Sequence, residues 1–236
     1  MNVEIWSDVV CPWCYVGKRQ FEEALSRFAH ASEVTVEWRS FELDPTSPAQ
    51  VGMSMDRILQ HKYGMSEAEA RSANQRMTEL AAGVGLEYHL DVVQPGNTFD
   101  AHRLIHLAAT HGLGGAMKER LLAAYFTEGR PVGDRATLSE LAVEVGLDRD
   151  EVDEVLAGEA FGPEVRADES RATALGASGV PFFVIDAAFG VSGAQGSGVL
   201  LGALEQAWAA SHPITHLDAG ASAQEGNACT GDSCPV

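Results

Sequence analysis

Glu4-Ile5-Trp6-Ser7-Asp8-Val9-Val10-Cys11-Pro12-Trp13-Cys14-Tyr15 is the stretch from which the fold is read. A short apolar run comes first and predicts a strand from Asn2 to Asp8. An amphipathic segment then runs from Pro12 to Ala29, with Val16, Phe21, Ala24, Leu25 and Phe28 on one broad stripe at helical spacing. Proline is tolerated in a first helical turn because no intrahelical N–H is needed there. Cys11 therefore stands at the mouth of a helix. The first-turn N–H groups lack partners and the macrodipole is positive at that end. Both favour thiolate over thiol, so Cys11 is expected to be more acidic than a free cysteine. Cys14 follows one turn later, about 5 Å away between Cα atoms, within the Cα window of a disulfide. The two sulfurs can close with little backbone movement, and Cys11 is the better placed nucleophile. A structural disulfide and half a zinc site are the competing readings. The strand, Cys-x-x-Cys and helix order favours a catalytic dithiol.

Outward from this stretch, Glu33 to Leu43 alternates, with Val34, Val36 and Trp38 on one face and Thr35, Glu37 and Arg39 on the other. That is a second strand, and the helix between makes a βαβ unit with parallel strands and a right-handed crossover expected. Asp44-Pro45-Thr46-Ser47-Pro48 is a loop. Helical patterns then cover Met53–Tyr63, Ser66–Val84, Asp100–His111, Gly114–Thr127, Thr137–Val145 and Arg149–Ala157. Ser66 with Glu69, and Thr137 with Glu140, have capping-box spacing. Gly83, Gly112, Gly129 and Gly146 sit where helices should stop. The segments have no fixed period, which excludes a solenoid. Pro163 to Leu175 reads as a helix, Val180 to Ile185 as a strand, Phe189 to Ser192 as its hairpin partner, and Gly196 to Ala210 as a last helix. The order is β-α-β, helical block, α-β-β-α. It resembles an α/β thioredoxin fold with a large all-helical insertion after the second strand. The expected division is 1–44 and 163–210 for the two halves of that fold, 45–162 for the insertion, and 211–236 for a flexible tail of low apolar content.

At 236 residues with 45% hydrophobic content the chain can build a real core. No run approaches the roughly 18 apolar residues of a membrane span. A formal net charge of −18 repels nucleic acid and anionic membranes, so neither is an expected partner. The N-terminus enters a strand at once, with no signal-peptide pattern, and a cytoplasmic address is expected. In that compartment disulfides are reduced, so a thiol pair is more readily catalytic than structural.

Four further features bear on a site. Pro181 opens the third strand, where a missing N–H is tolerated. The equivalent proline of thioredoxin folds is cis and faces the cysteine pair. Val180 beside it is expected to pair with an extended substrate segment, as in strand addition. Trp13, between the cysteines, is a second expected substrate contact. His102 and His106 share a helix face at i and i+4. No third ligand is evident, so no metal is expected, and the helix either lines the active-site groove, with His102 toward substrate, or simply packs. Cys229 and Cys234 lie in the tail, and bridging them needs a turn, for which Gly231-Asp232 supplies the chemistry. An auxiliary redox pair, a zinc site and an incidental oxidisable tail compete there.

Four separated motifs carry a family resemblance: Ser7-Asp8-Val9-Val10-Cys11-Pro12-Trp13-Cys14-Tyr15-Val16-Gly17, Asn97-Thr98-Phe99-Asp100-Ala101-His102-Arg103, Gly179-Val180-Pro181-Phe182-Phe183 and Val191-Ser192-Gly193-Ala194-Gln195. Together they resemble the DsbA-like oxidoreductases of the FrnE branch over about residues 2 to 210. The resemblance implies thiol–disulfide exchange without a cofactor, with Cys11 as attacking thiol, Cys14 as resolving thiol and Pro181 as cis-proline. The partner would be a disulfide- or dithiol-containing protein, or a low-molecular-weight thiol. Kappa-class glutathione transferases and chromene-carboxylate isomerases share the architecture but usually place a serine where Cys11 stands. A glutathione-dependent transferase or isomerase is thus the alternative enzyme. A zinc-holding module or peptide-binding chaperone is the non-catalytic one. Nothing in the sequence sets the oligomeric state.

Overall fold

The alternating strands and the amphipathic helix between them form as their side-chain periods require. In the computed structural model, which describes residues 1–213, β1 (Asn2–Ser7), α1 (Pro12–Arg27) and β2 (Thr35–Ser40) make the βαβ unit. β1 and β2 are parallel, with Asn2 opposite Thr35 and Ser7 opposite Ser40. Six helices follow: α2 (Met55–Tyr63), α3 (Glu67–Ala82), α4 (Phe99–Thr110), α5 (Gly114–Phe126), α6 (Arg135–Val145) and α7 (Arg149–Ala157). Then come α8 (Gly162–Ala174), β3 (Phe182–Ile185), β4 (Phe189–Ser192) and α9 (Ser197–Ser211). The sheet order is β2-β1-β3-β4, with β3 antiparallel to both β1 and β4. This is the expected α/β architecture with its helical insertion after the second strand.

The strand period of two separates the sheet's faces. Val3 and Ile5 of β1, with Phe183 and Ile185 of β3, pack against Phe21, Ala24 and Phe28 of α1 and Leu200, Leu204 and Ala207 of α9. On the other face Trp6, Phe182 and Val184 meet Ala172 of α8. Glu4 is buried on that face too, and it is paired with Arg39 and Arg171. The insertion builds its own apolar core from α3 to α7, and Val9, Tyr15 and Val16 belong to it. The start of α1 therefore lies where the insertion's core meets the sheet.

Local chemistry moves two expected boundaries. β3 begins at Phe182, not Val180, since Pro181 has no N–H to give a ladder. α6 begins at Arg135, capped by Asp134, whose carboxylate accepts the Thr137 N–H at 2.9 Å. Thr137 is thus the third residue of that helix and not its cap. The Ser66–Glu69 capping box is present as expected, with both reciprocal bonds made.

Candidate active site

The turn after β1 delivers Cys11 to the N-cap of α1, and Pro12 occupies the first turn. Both cysteines are free thiols and both are buried, Cys11 with 4% and Cys14 with 1% of its surface exposed. The Cys14 N–H donates to the Cys11 carbonyl at 3.0 Å, which closes the turn between them. The Val180–Pro181 bond is cis. It brings the Val180 carbonyl to 3.7 Å from Cys11 Sγ, where the thiol donates to it. Close approach of α1 to this proline requires a glycine. A Cβ on Gly17 would lie 2.7 Å from Pro181 Cγ.

Three expected site residues thus converge: Cys11, Cys14 and Pro181. Val180 is half-buried beside them, and Trp13 projects outward with 46% of its surface exposed. His102 does not. It is 1% exposed and turned inward, its Nε2 3.4 Å from Asp8 Oδ1. The expected place on a substrate-lining face is corrected by packing, since α4 lies under the turn that follows β1. His106 is likewise engaged, 3.1 Å from Asp168 and 3.0 Å from the Ser40 hydroxyl. Cys229 and Cys234 lie outside the described residues.

Beneath the thiols lies a polar shell that the sequence reading did not include. Asp8 is buried, and one carboxylate oxygen accepts the Leu43 N–H at 2.8 Å. Its other oxygen faces His102 at the long limit of a hydrogen bond, and neither atom has another partner. Burial alone would raise the Asp8 pKa, but His102, the Leu43 N–H and the Lys118 charge together hold it below the usual carboxylate value. Lys118 reaches in from α5 and donates to the Ser7 carbonyl at 2.9 Å. The Ser7 hydroxyl beside Cys14 has no other partner. Tyr88 donates to the Pro12 carbonyl at 2.8 Å and so ties the insertion to the first turn of α1.

These neighbours decide which sulfur ionises. Burial opposes a thiolate at Cys14. The hydrogen bond from Cys11, the Lys118 ammonium and the Ser7 hydroxyl outweigh it, so the Cys14 pKa lies below the ordinary value. Cys11 is pushed up, first by its hydrogen bond to Cys14, then by burial and by the negative charge of Cys14. The proton affinity of each sulfur is therefore tied to the state of the other. The helix terminus acts as expected, but burial and an adjacent thiolate are stronger.

The signal for Lys118 was present in the sequence. It falls at i, i+4 and i+7 with Leu122 and Tyr125, two buried neighbours on the same face of α5. A charged residue in that register is the signal.

Comparison with known proteins bears on the family and the fold. The family model of the DSBA-like thioredoxin domain matches residues 2–205. The crystal structure of the probable DsbA oxidoreductase SCO1869 from Streptomyces coelicolor is 47% identical, with a TM-score of 0.87, over 98% of this chain and 100% of that one. The cytosolic disulfide reductase DsbM from Pseudomonas aeruginosa, solved with GSH, is 20% identical with a TM-score of 0.59, over 89% and 97% of the two chains, a likeness of fold. YwbO of Bacillus subtilis strain 168, itself uncharacterised, is 33% identical over 149 residues, 63% of this chain and 68% of YwbO. Among the described residues no helix is long and apolar enough to cross a membrane.

Proposed function

From the premise that the chain belongs to the DSBA-like thioredoxin domain family, we propose that it exchanges disulfides through the Cys11–Cys14 dithiol. The observation that carries this reading is the free thiol pair at the N-terminus of α1, with Cys11 Sγ against the Val180 carbonyl at the cis-proline. Cys11 first loses its proton to solvent, and Cys14 stays a thiol. The Cys11 thiolate attacks one sulfur of a substrate disulfide, forming a mixed disulfide and expelling the other sulfur as a thiolate. That thiolate takes the Cys14 proton and leaves as a thiol. Cys14 attacks Cys11, breaks the mixed disulfide and releases the second substrate sulfur as a thiolate. Two electrons pass to the substrate and the protein keeps a Cys11–Cys14 disulfide. Run in reverse, the same steps oxidise a substrate dithiol.

Trp13 and Val180 flank the pair and are the proposed substrate contacts. The substrate is a protein or low-molecular-weight thiol or disulfide. The FrnE-branch assignment rests on the four sequence motifs. A cytoplasmic address is part of this reading, and subcellular fractionation tests it. The tail pair Cys229–Cys234 is proposed as an auxiliary redox pair. Deleting the residues after Ser211 should then slow recycling of Cys11–Cys14 over multiple turnovers.

Insulin disulfide reduction with glutathione as electron source tests the central step. Cys11→Ser should abolish turnover, and Cys14→Ser should accumulate a mixed disulfide on Cys11. Full activity in Cys11→Ser would end the proposal. A conjugation or isomerisation of a small electrophile that survives loss of Cys14 would instead favour the glutathione-transferase reading.

A further inference from the structure

Tyr88 meets the dithiol from the segment between α3 and α4, outside the βαβ unit that carries the cysteines. It is 4% exposed. Its ring stacks on Phe126 with centres 4.6 Å apart and planes at 20°, and on Tyr15 at 6.1 Å. The hydroxyl donates to the Pro12 carbonyl at 2.8 Å. Burial, and next the charge on Cys11, push the Tyr88 pKa well above that of a free phenol. The hydroxyl is therefore a donor wherever a thiol titrates.

The Pro12 carbonyl is one end of a peptide group whose other end is the Trp13 N–H. That N–H lies in the first turn of α1, where it has no intrahelical acceptor. A side chain at the N-cap is placed to accept from the second or third helical N–H. Cys11 is the N-cap, and those two donors are Trp13 and Cys14. The Cys14 N–H is already engaged by the Cys11 carbonyl at 3.0 Å. The Trp13 N–H is left for the sulfur. As a thiol, Cys11 Sγ donates to the Val180 carbonyl and makes no cap bond. Once ionised, it can only accept.

A merely structural tie accounts for the hydroxyl poorly. Ring stacking already joins this segment to Tyr15 of α1, and phenylalanine would keep that stacking. The helix ladder also uses the Pro12 carbonyl, since each carbonyl accepts the N–H four residues on. A second donor there does, however, polarise the peptide group. Hydrogen bonds in a chain strengthen one another, and the conjugated, planar amide passes the effect from its oxygen to its N–H.

We propose that Tyr88 is a positioning residue for disulfide exchange: its hydroxyl fixes and polarises the Pro12–Trp13 peptide so that the Trp13 N–H stabilises the Cys11 thiolate. The helical insertion thereby acts on a nucleophile that it does not contain, through a single peptide group. This role rests on the exchange reading of Cys11 and Cys14, but it is tested by acidity and not by turnover.

The pH profile of iodoacetamide alkylation at Cys11, followed by peptide mass spectrometry in a Cys14→Ser background, isolates the sulfur in question. Tyr88→Phe keeps the ring and removes the donor. Its midpoint should move to higher pH, with a thiolate-to-thiol ratio at neutral pH about threefold lower, as loss of one modest hydrogen bond implies. A folded variant with an unmoved midpoint would overturn the proposal. A ring-fluorinated tyrosine at position 88 has nearly the same shape and a stronger donor, so it should move the midpoint to lower pH. It decides the matter if Tyr88→Phe does not fold, and an unmoved midpoint there overturns the proposal too. Shifted midpoints in a protein whose wild type turns over no disulfide refute the exchange reading alone. Normal wild-type turnover with unmoved midpoints refutes the role of Tyr88 alone.

Discussion

The two ends of α1 are built on opposite principles. Toward its C-terminus Phe21, Ala24 and Phe28 are sealed among the apolar side chains of Ile5, Phe183 and Leu204. Phe21 and Phe183 stack with ring centres 5.8 Å apart. At its N-terminus the same helix faces Ser7, Asp8, His102 and Lys118, all buried and ionisable or polar. Three atoms of that shell, Ser7 Oγ, Asp8 Oδ1 and His102 Nε2, have no full hydrogen-bond partner. Buried polar atoms are nearly always satisfied in folded proteins. The apolar end is optimised for stability. The polar end gives stability up around two sulfurs, which is what a site that must change charge requires.

This contrast predicts that mutations at the two ends separate stability from thiol chemistry. Phe183→Ala at the apolar end should have the largest effect on stability, about 3–5 kcal/mol for a buried phenylalanine truncated in a packed core. Urea denaturation measures it, and the thiolate titration of the folded variant should stay where it is in the wild type.

The next effect is pH-dependent and belongs to the polar end. Lys118 titrates at about 8 in the folded protein, against 10.5 for an unburied lysine. Below pH 8 the folded state must hold a proton that burial disfavours, and between the two values the unfolded chain binds more protons. The Lys118 contribution therefore destabilises by about 3 kcal/mol at neutral pH and fades as pH rises through that window. Comparing wild type with Lys118→Met by denaturation at successive pH values checks this. The variant should have its greatest relative advantage below pH 8 and lose it toward pH 10.5.

Gly17→Ala probes the boundary between the two ends. Alanine is the better helix former, but its Cβ would meet Pro181 at 2.7 Å. A proline ring cannot swing aside, so overpacking should dominate, with a loss of about 1–3 kcal/mol. Because the clash pushes α1 from Pro181, the variant should also slow disulfide exchange, unlike Phe183→Ala once folded. Ser66→Ala, far from either end, removes a helix cap. It should cost about 1 kcal/mol and leave the thiol titration unchanged.

The sequence revealed those parts of the site whose chemistry is written locally. Cys11, Pro12 and Cys14 declare a helix entrance and a closable pair within four residues. Pro181 declares itself because a proline at a strand start has few other places to go. The βαβ unit followed from the alternation of the second strand and a single helical crossover. What was not legible depends on contacts between distant segments. Lys118 reaches Ser7 across 111 positions of chain, and nothing near it in sequence says which carbonyl it will meet. His102 was placed on the right helix but on the wrong side, because a helix period tells which residues share a face and not what that face meets. The surroundings of Cys11 were hidden for the same reason. The helix terminus is a local effect, whereas the adjacent thiolate and the buried ammonium are set by tertiary packing.

The central claim is that Cys11 and Cys14 form a reversible redox couple. It is tested most directly by a redox titration against glutathione, with trapped thiols alkylated and the disulfide mapped by mass spectrometry at each poise. The expected result is a single two-electron transition whose oxidised form carries a Cys11–Cys14 bond. Cysteines that remain free at every poise, or an oxidised form in which Cys11 and Cys14 are not bonded to each other, would contradict it.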